Sequence, residues 1–198
     1  MSEVRTLDDT LPVQGQGRTG TAWWGLMCVI GTEGILFAYL IFSYGYLASQ
    51  NVRWLHDGPR SLRLALPATV LLVGSSIVLE WAKRVGNRGR TGAARLGVVL
   101  AVLMGAAFML LELREWKEQP FAFDTDSYSS IYFLLTGTHL AHVAVGLLGL
   151  LMMLAWSFGG RLRTEHSQYR ALTTLYWHFV DAVWLFVFAT IYLSPRLA

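Results

Sequence analysis

Five apolar runs constrain this chain more than any other feature. Each is close to the ~20 residues a helix needs to cross a bilayer core ~30 Å thick, and short polar stretches separate them. The 198 residues are 54% hydrophobic and only 15% charged, with a mean hydropathy of +0.44. A soluble domain of this length needs far more polar surface. Backbone groups inside lipid find no water, so each run must close its own hydrogen bonds as a helix. The expected fold is therefore an all-α integral membrane protein, a five-transmembrane-helix bundle. Its expected spans are residues 22–48, 64–81, 93–113, 128–156 and 171–193. Residues 1–21 read as a polar N-terminal tail, disordered or docked on a partner, and 22–198 as one membrane domain. The tail lacks the apolar centre of a signal peptide.

Six of the eight tryptophans (Trp23, Trp24, Trp54, Trp81, Trp116 and Trp156) fall at or just beyond expected span ends, where an amphipathic ring is favoured. Trp177 and Trp184 lie within the fifth span, seven residues apart on one helical face, and are candidate lipid contacts. If the N-terminus is cytoplasmic, ten of the sixteen Lys and Arg residues fall in inner segments, most densely in "AKRVGNRGRTGAAR". That bias predicts a cytoplasmic N-terminus and a periplasmic C-terminus. Gly97, Ala101 and Gly105 recur every four residues on the third span, and Gly137 and Ala141 repeat the spacing on the fourth. Such rows let a neighbouring backbone approach.

Ionisable residues inside the apolar runs are the candidate functional groups, because a charge in hydrocarbon is costly. Glu33 lies mid-span in "MCVIGTEGILFAYL". "YWHFVDAVWLFVF" carries His178 and Asp181 one helical turn apart, and "TGTHLAHV" carries His139 and His142. Glu33 and Asp181 each fall about eleven residues from the inner end of their spans, at similar expected depth. The five residues are read as a buried protonatable polar network. Histidines and carboxylates in a bundle can bind metal, but the spacing matches no ligand signature, and interhelical hydrogen bonding is the plainer role. The three histidines are of the right type for haem, yet nothing in their spacing demands it. Cys28, the only cysteine, rules out an internal disulfide and a cysteine cluster. Glu80 reads as an interfacial residue paired with Lys83 and Arg84. Glu112, Glu115 and Glu118 read as a solvated rim with Arg114 and Lys117. One of Asp124, Asp126 and Ser127 is expected to cap the fourth span.

These motifs resemble subunit III of the haem-copper terminal oxidases, the cytochrome c and quinol oxidases, in its short five-helix bacterial form. "YWHFVDAVWLFVFATIYL" is close to the signature of that family's last helix, and "YSSIYFLLTGTHLAHVAVGLLGL" is similar to the helix before it. "FMLLELREW", "LPATVLLVGSSIVLEWAKR" and "TEGILFAYLIFSYGYL" resemble the other three. The chain departs from the pattern at Lys83 and Arg84, where histidines are common, at Glu112, where glutamine is common, and at Leu140, where glycine is common.

The resemblance implies an accessory subunit with no catalytic residue, no metal and no cofactor of its own. Haems and copper sit in partner subunits. The implied partners are oxidase subunit I in direct contact, other oxidase subunits and structural phospholipid, with the donor, cytochrome c or quinol, bound elsewhere in the complex. The setting is the bacterial cytoplasmic membrane and aerobic respiration, with support for stability, lipid binding and proton uptake during oxygen reduction. Glu33 falls at the family's carbodiimide-reactive glutamate, which implies a protonatable buried acid. An accessory subunit of a nitric oxide reductase is a close variant. An independent proton channel or transporter would rest on Glu33, His178 and Asp181, but the inverted repeats and broken helices common in transporters are not visible. A membrane metalloenzyme would require the unpatterned histidines as ligands.

Overall fold

The computed structural model describes residues 21–51, 54, 61–158 and 167–197. Five long helices make up nearly all of it: α1 (Thr21–Gln50), α2 (Leu62–Asn87), α3 (Thr91–Glu118), α4 (Ser127–Phe158) and α5 (Ser167–Phe188). A π-helical turn, Ala189–Leu193, and a last turn α6 (Ser194–Leu197) continue α5. All five are long and apolar enough to cross a membrane. The expectation for residues 1–20 lies outside the described residues.

The helices overrun the apolar runs because their polar ends remain helical beyond the hydrocarbon length. Much of the stretch read as a polar loop, "AKRVGNRGRTGAAR", is therefore helix. Only Arg88, Gly89 and Arg90 separate α2 from α3. There Gly89 takes φ 79°. Its N–H donates to Gly86 O (3.0 Å), and Arg90 N–H donates to Val85 O (3.3 Å). This is the Schellman closure that a glycine past the helix end permits. At the opposite end, Asp126 caps α4. Asp126 Oδ1 accepts from Ser129 N–H at 2.7 Å, and Ser129 Oγ accepts from Asp126 N–H at 2.9 Å, a reciprocal capping box.

The centre of the bundle is built around α5. Trp177 and Trp184 are 1% and 0% exposed, so the expected lipid contact is corrected: both indoles point into the bundle. Each donates its Nε1–H to a hydroxyl on α2, Trp177 to Ser75 Oγ (2.9 Å) and Trp184 to Thr69 Oγ1 (3.0 Å). An indole has a polar edge and needs a partner once buried. The Trp177 ring occupies a slot between two glycines. A methyl group at Gly105 of α3 would lie 2.7 Å from Trp177 Cη2, and one at Gly146 of α4 would lie 2.8 Å from Trp177 Cε3. Trp184 packs edge-on to Phe108 of α3 (4.8 Å between centroids) and is stacked on His139 of α4 (4.9 Å).

The small-residue rows therefore act in different ways. Gly97 admits the backbone of α2, with Ala82 Cα 3.3 Å from its potential Cβ. Gly105 admits a ring instead of a backbone. Gly137 faces the Trp116 ring at 3.3 Å, while Ala141 is exposed.

Gly105→Ala and Gly146→Ala are expected to overpack the Trp177 slot and destabilise the fold by about 1–3 kcal/mol each. Unfolding titrations in mixed detergent micelles measure this. Parent-like midpoints for both variants would show that the slot is not tight.

Candidate functional site

Glu33 continues the buried seam of α1. Phe37, Leu40 and Tyr44 are that helix's buried residues, and Glu33 precedes them at the same four- and three-residue spacing. This face meets α4. His142 Nε2 lies 3.1 Å from Glu33 Oε2, and Phe37 packs edge-on against the His142 ring at 5.0 Å. From α5, Tyr176 donates its hydroxyl to His142 O at 3.4 Å.

The second ring nitrogen determines how this pair holds its proton. His142 Nδ1 is 2.7 Å from Thr138 O, and a carbonyl can only accept, so Nδ1 carries hydrogen. A neutral ring then offers Nε2 as an acceptor, and Glu33 must donate as a carboxylic acid. Alternatively, an imidazolium donates to a carboxylate. In both states one proton lies between the two side chains and the pair has no net charge, the condition under which ionisable groups are tolerated in lipid.

The other expected members are placed separately. Asp181 and His178 line a cavity of about 440 Å³ between α2 and α5, with Ser76, Glu80 and Arg84. Glu80 is held by Lys83 and Arg84, each at 3.0 Å, and His178 Nε2 lies 3.9 Å from Glu80 Oε2, beyond hydrogen-bond distance. Contact between the α1 and α5 levels is direct: Phe179 reaches within 4.0 Å of a potential Cβ on Gly34.

His139 is fully buried, and neither ring nitrogen has a hydrogen-bond partner among the described residues. Interhelical hydrogen bonding is thus corrected for His139. Its neighbours are the rings of Phe37, Phe108 and Trp184, and packing alone holds it. The five residues do not converge on one point. No group of three or more His, Cys, Asp and Glu could hold a metal ion among the described residues.

The rim assigned to the outer end of α3 is also corrected. Glu112 and Glu115 are 2% and 5% exposed. Tyr192 donates its hydroxyl to Glu115 Oε1 at 2.5 Å, and Gln119 Nε2 donates to Tyr132 Oη at 3.3 Å beside it. Glu118 alone fits the solvated reading, paired with Arg114 at 2.9 Å. The missed signal was spacing: Ala101, Gly105, Phe108, Glu112 and Glu115 follow one another at intervals of four and three, so both acids extend the buried face. Tyr192 reaches Glu115 from the π-helical turn, the kind of local widening often found at functional positions.

Glu33→Gln should leave stability within about 0.5 kcal/mol, because the amide can still donate to His142 Nε2. Glu33→Leu should cost about 1 kcal/mol, a typical interhelical hydrogen bond in a membrane. Equal midpoints for the two variants in detergent unfolding would count against the pairing. Tyr192→Phe, which removes the donor from Glu115 Oε1, should cost about 1–2 kcal/mol. An unchanged unfolding midpoint would contradict that contact.

A family model described as cytochrome c oxidase subunit III matches residues 20–195. The cytochrome c oxidase subunit 3 of Bacillus subtilis (strain 168) is 34% identical over 179 residues, covering 85% of this chain and 84% of the relative. That of Bacillus sp. (strain PS3) is 32% identical over 177 residues, covering 85% and 84%. The subunit 3 of Locusta migratoria is 29% identical over 177 residues, covering 85% and 67%.

Proposed function

Because this chain belongs to the cytochrome c oxidase subunit III family, we propose that it is the accessory, redox-centre-free subunit of an aerobic haem-copper oxidase. In this reading it packs directly on catalytic subunit I in a bacterial cytoplasmic membrane. It supports the stability, lipid association and proton uptake of the complex while partner subunits reduce oxygen. The observation that carries this reading is the family match across all five helices. The names of the relatives favour an oxidase over a nitric oxide reductase as the parent complex.

The Glu33–His142 pair is the proposed protonatable element. It holds one proton without net charge, and the Glu33 side chain keeps 31% exposure on the outer surface of the bundle. His178, Asp181 and Glu80 form a second polar group on the α2–α5 face. The proposed orientation, with the N-terminus cytoplasmic and the C-terminus periplasmic, rests on the concentration of Lys and Arg at the α2–α3 hairpin end.

Affinity purification of the tagged chain in a mild detergent tests the reading. Haem-bearing chains should co-purify and give the mixture a visible haem spectrum, and none of that absorbance should remain with this chain after dissociation. Recovery of the assembled chain without any haem-bearing partner would overturn it.

A further inference from the structure

A series of oxidisable rings runs from the centre of the bundle to its α3–α4 end. It begins at the buried indole of Trp184. One turn further along α5, Phe188 stacks on Tyr192 at 5.2 Å between centroids. Tyr132 of α4 shares a side-chain hydrogen bond with Tyr192. Tyr128, one turn before Tyr132, is stacked on it at 6.2 Å. Trp54 then meets Tyr128 edge-on at 5.3 Å. Tyr128, Tyr132 and Tyr192 are buried, and Trp54 is half-buried, so the series ends where it comes nearest the surface.

Packing alone would be served as well by phenylalanine, as at Phe121 and Phe133 beside Tyr132. Hydroxyls are buried here instead, each at the cost of finding a partner, and one of them is tied to an acid. A phenol gives up an electron readily only when its proton leaves at the same time, because the oxidised phenol is a strong acid. Glu115 Oε1, 2.5 Å from the Tyr192 hydroxyl, is placed to take that proton. Loss of the electron then leaves a neutral phenoxyl radical beside a neutral carboxylic acid. No new charge is created in a low-dielectric interior, where it would be costly.

We propose that Trp184, Tyr192, Tyr132, Tyr128 and Trp54 form a relay that carries oxidising equivalents out of the bundle, with Glu115 as its proton acceptor. The relay rests on the accessory-subunit reading for its oxidant, a one-electron oxidant formed during oxygen reduction in a partner subunit. That oxidant takes an electron from Trp184, and Tyr192 replaces it while passing its phenolic proton to Glu115. Tyr132 then transfers a hydrogen atom, one electron and one proton together, to the Tyr192 oxygen. An electron from Trp54 crosses the Tyr128 ring to the Tyr132 radical. The proton on Glu115 returns through the Tyr192 hydroxyl to Tyr132, which leaves both tyrosines and the carboxylate as they began. A soluble thiolate gives its electron to the Trp54 radical cation and becomes a thiyl radical. The sum is one electron moved from thiolate to oxidant, with no net proton released.

Spin trapping in the intact, detergent-solubilised complex tests this, with hydrogen peroxide as the oxidant source, a nitroso trap and no added thiol. Peptide mass spectrometry then locates the trapped radicals on this chain. The parent should carry an adduct on Trp54. Tyr132→Phe and Glu115→Gln should each lower that adduct about tenfold, the effect of raising one barrier in the series by ~1.4 kcal/mol. The glutamine still accepts from the Tyr192 hydroxyl but cannot take its proton, so a merely structural Glu115 would leave the adduct unchanged. Tyr39→Phe, at an exposed tyrosine of α1 outside the series, should leave it at the parent level. A parent with no adduct on Trp54, or parent-like adducts in both Tyr132→Phe and Glu115→Gln, would overturn the relay. The latter result would mean that peroxide attacks Trp54 directly. The haem spectrum of the same samples reports separately on the accessory-subunit reading. A parent without co-purifying haem would defeat that reading and remove the oxidant, while intact haem with variant-independent adducts would defeat only the relay.

Discussion

The bundle depends on two indoles projecting from one face of α5. Trp177 and Trp184 each bond to an α2 hydroxyl and touch α3 and α4. One helix thereby ties three others at two levels. In lipid this matters more than it would in water, because burying apolar side chains against each other gains little over burying them in acyl chains. Close packing and satisfied polar groups must supply the cohesion. A tryptophan provides both, with a large rigid surface and one directed donor. The glycines at 105 and 146 then have a specific purpose, to admit the Trp177 ring between α3 and α4.

The same economy explains how the chain tolerates its ionisable groups. Glu33 is matched to His142 with one proton between them. Glu115 accepts from Tyr192, and Glu80 is held by two cations. His139 is the contrast: it sits among aromatic rings as a packing element. Glu33, Glu80 and Glu115 are each matched to a partner at a different place in the bundle, while Glu112 Oε1 and Asp181 Oδ1 are buried without a hydrogen-bond partner among the described residues. A metal site would require them to converge.

Much of the candidate site was legible from residue type. An acid inside an apolar run marks itself, and Glu33 and Asp181 were found in that way. Partner choice was harder to read. His139 and His142 are three residues apart and look equivalent in sequence, yet only His142 pairs with Glu33, because the rotation of α4 against α1 and α5 decides which imidazole meets the acid. Glu112 and Glu115 were misread because neighbouring Arg114 and Lys117 suggest a solvated end. Their spacing along the buried face of α3 was the better guide, and it outweighs local charge when a helix continues past the hydrocarbon boundary.

The amino-acid sequence by itself determined that the chain forms five helices long and apolar enough to cross a membrane, which runs form them, that Glu33 and Asp181 lie inside apolar runs, and which family its motifs resemble. Those properties follow from local hydropathy and from the requirement that backbone groups in lipid bond within their own helix. Only the tertiary structure decided which face of each helix turns inward. That choice placed Trp177 and Trp184 at the centre of the bundle, joined Glu33 to His142, and buried Glu112 and Glu115. The reason is that helix rotation is set by contacts between residues far apart in the chain. In runs that are apolar on nearly every side, no periodicity singles out the face that packs.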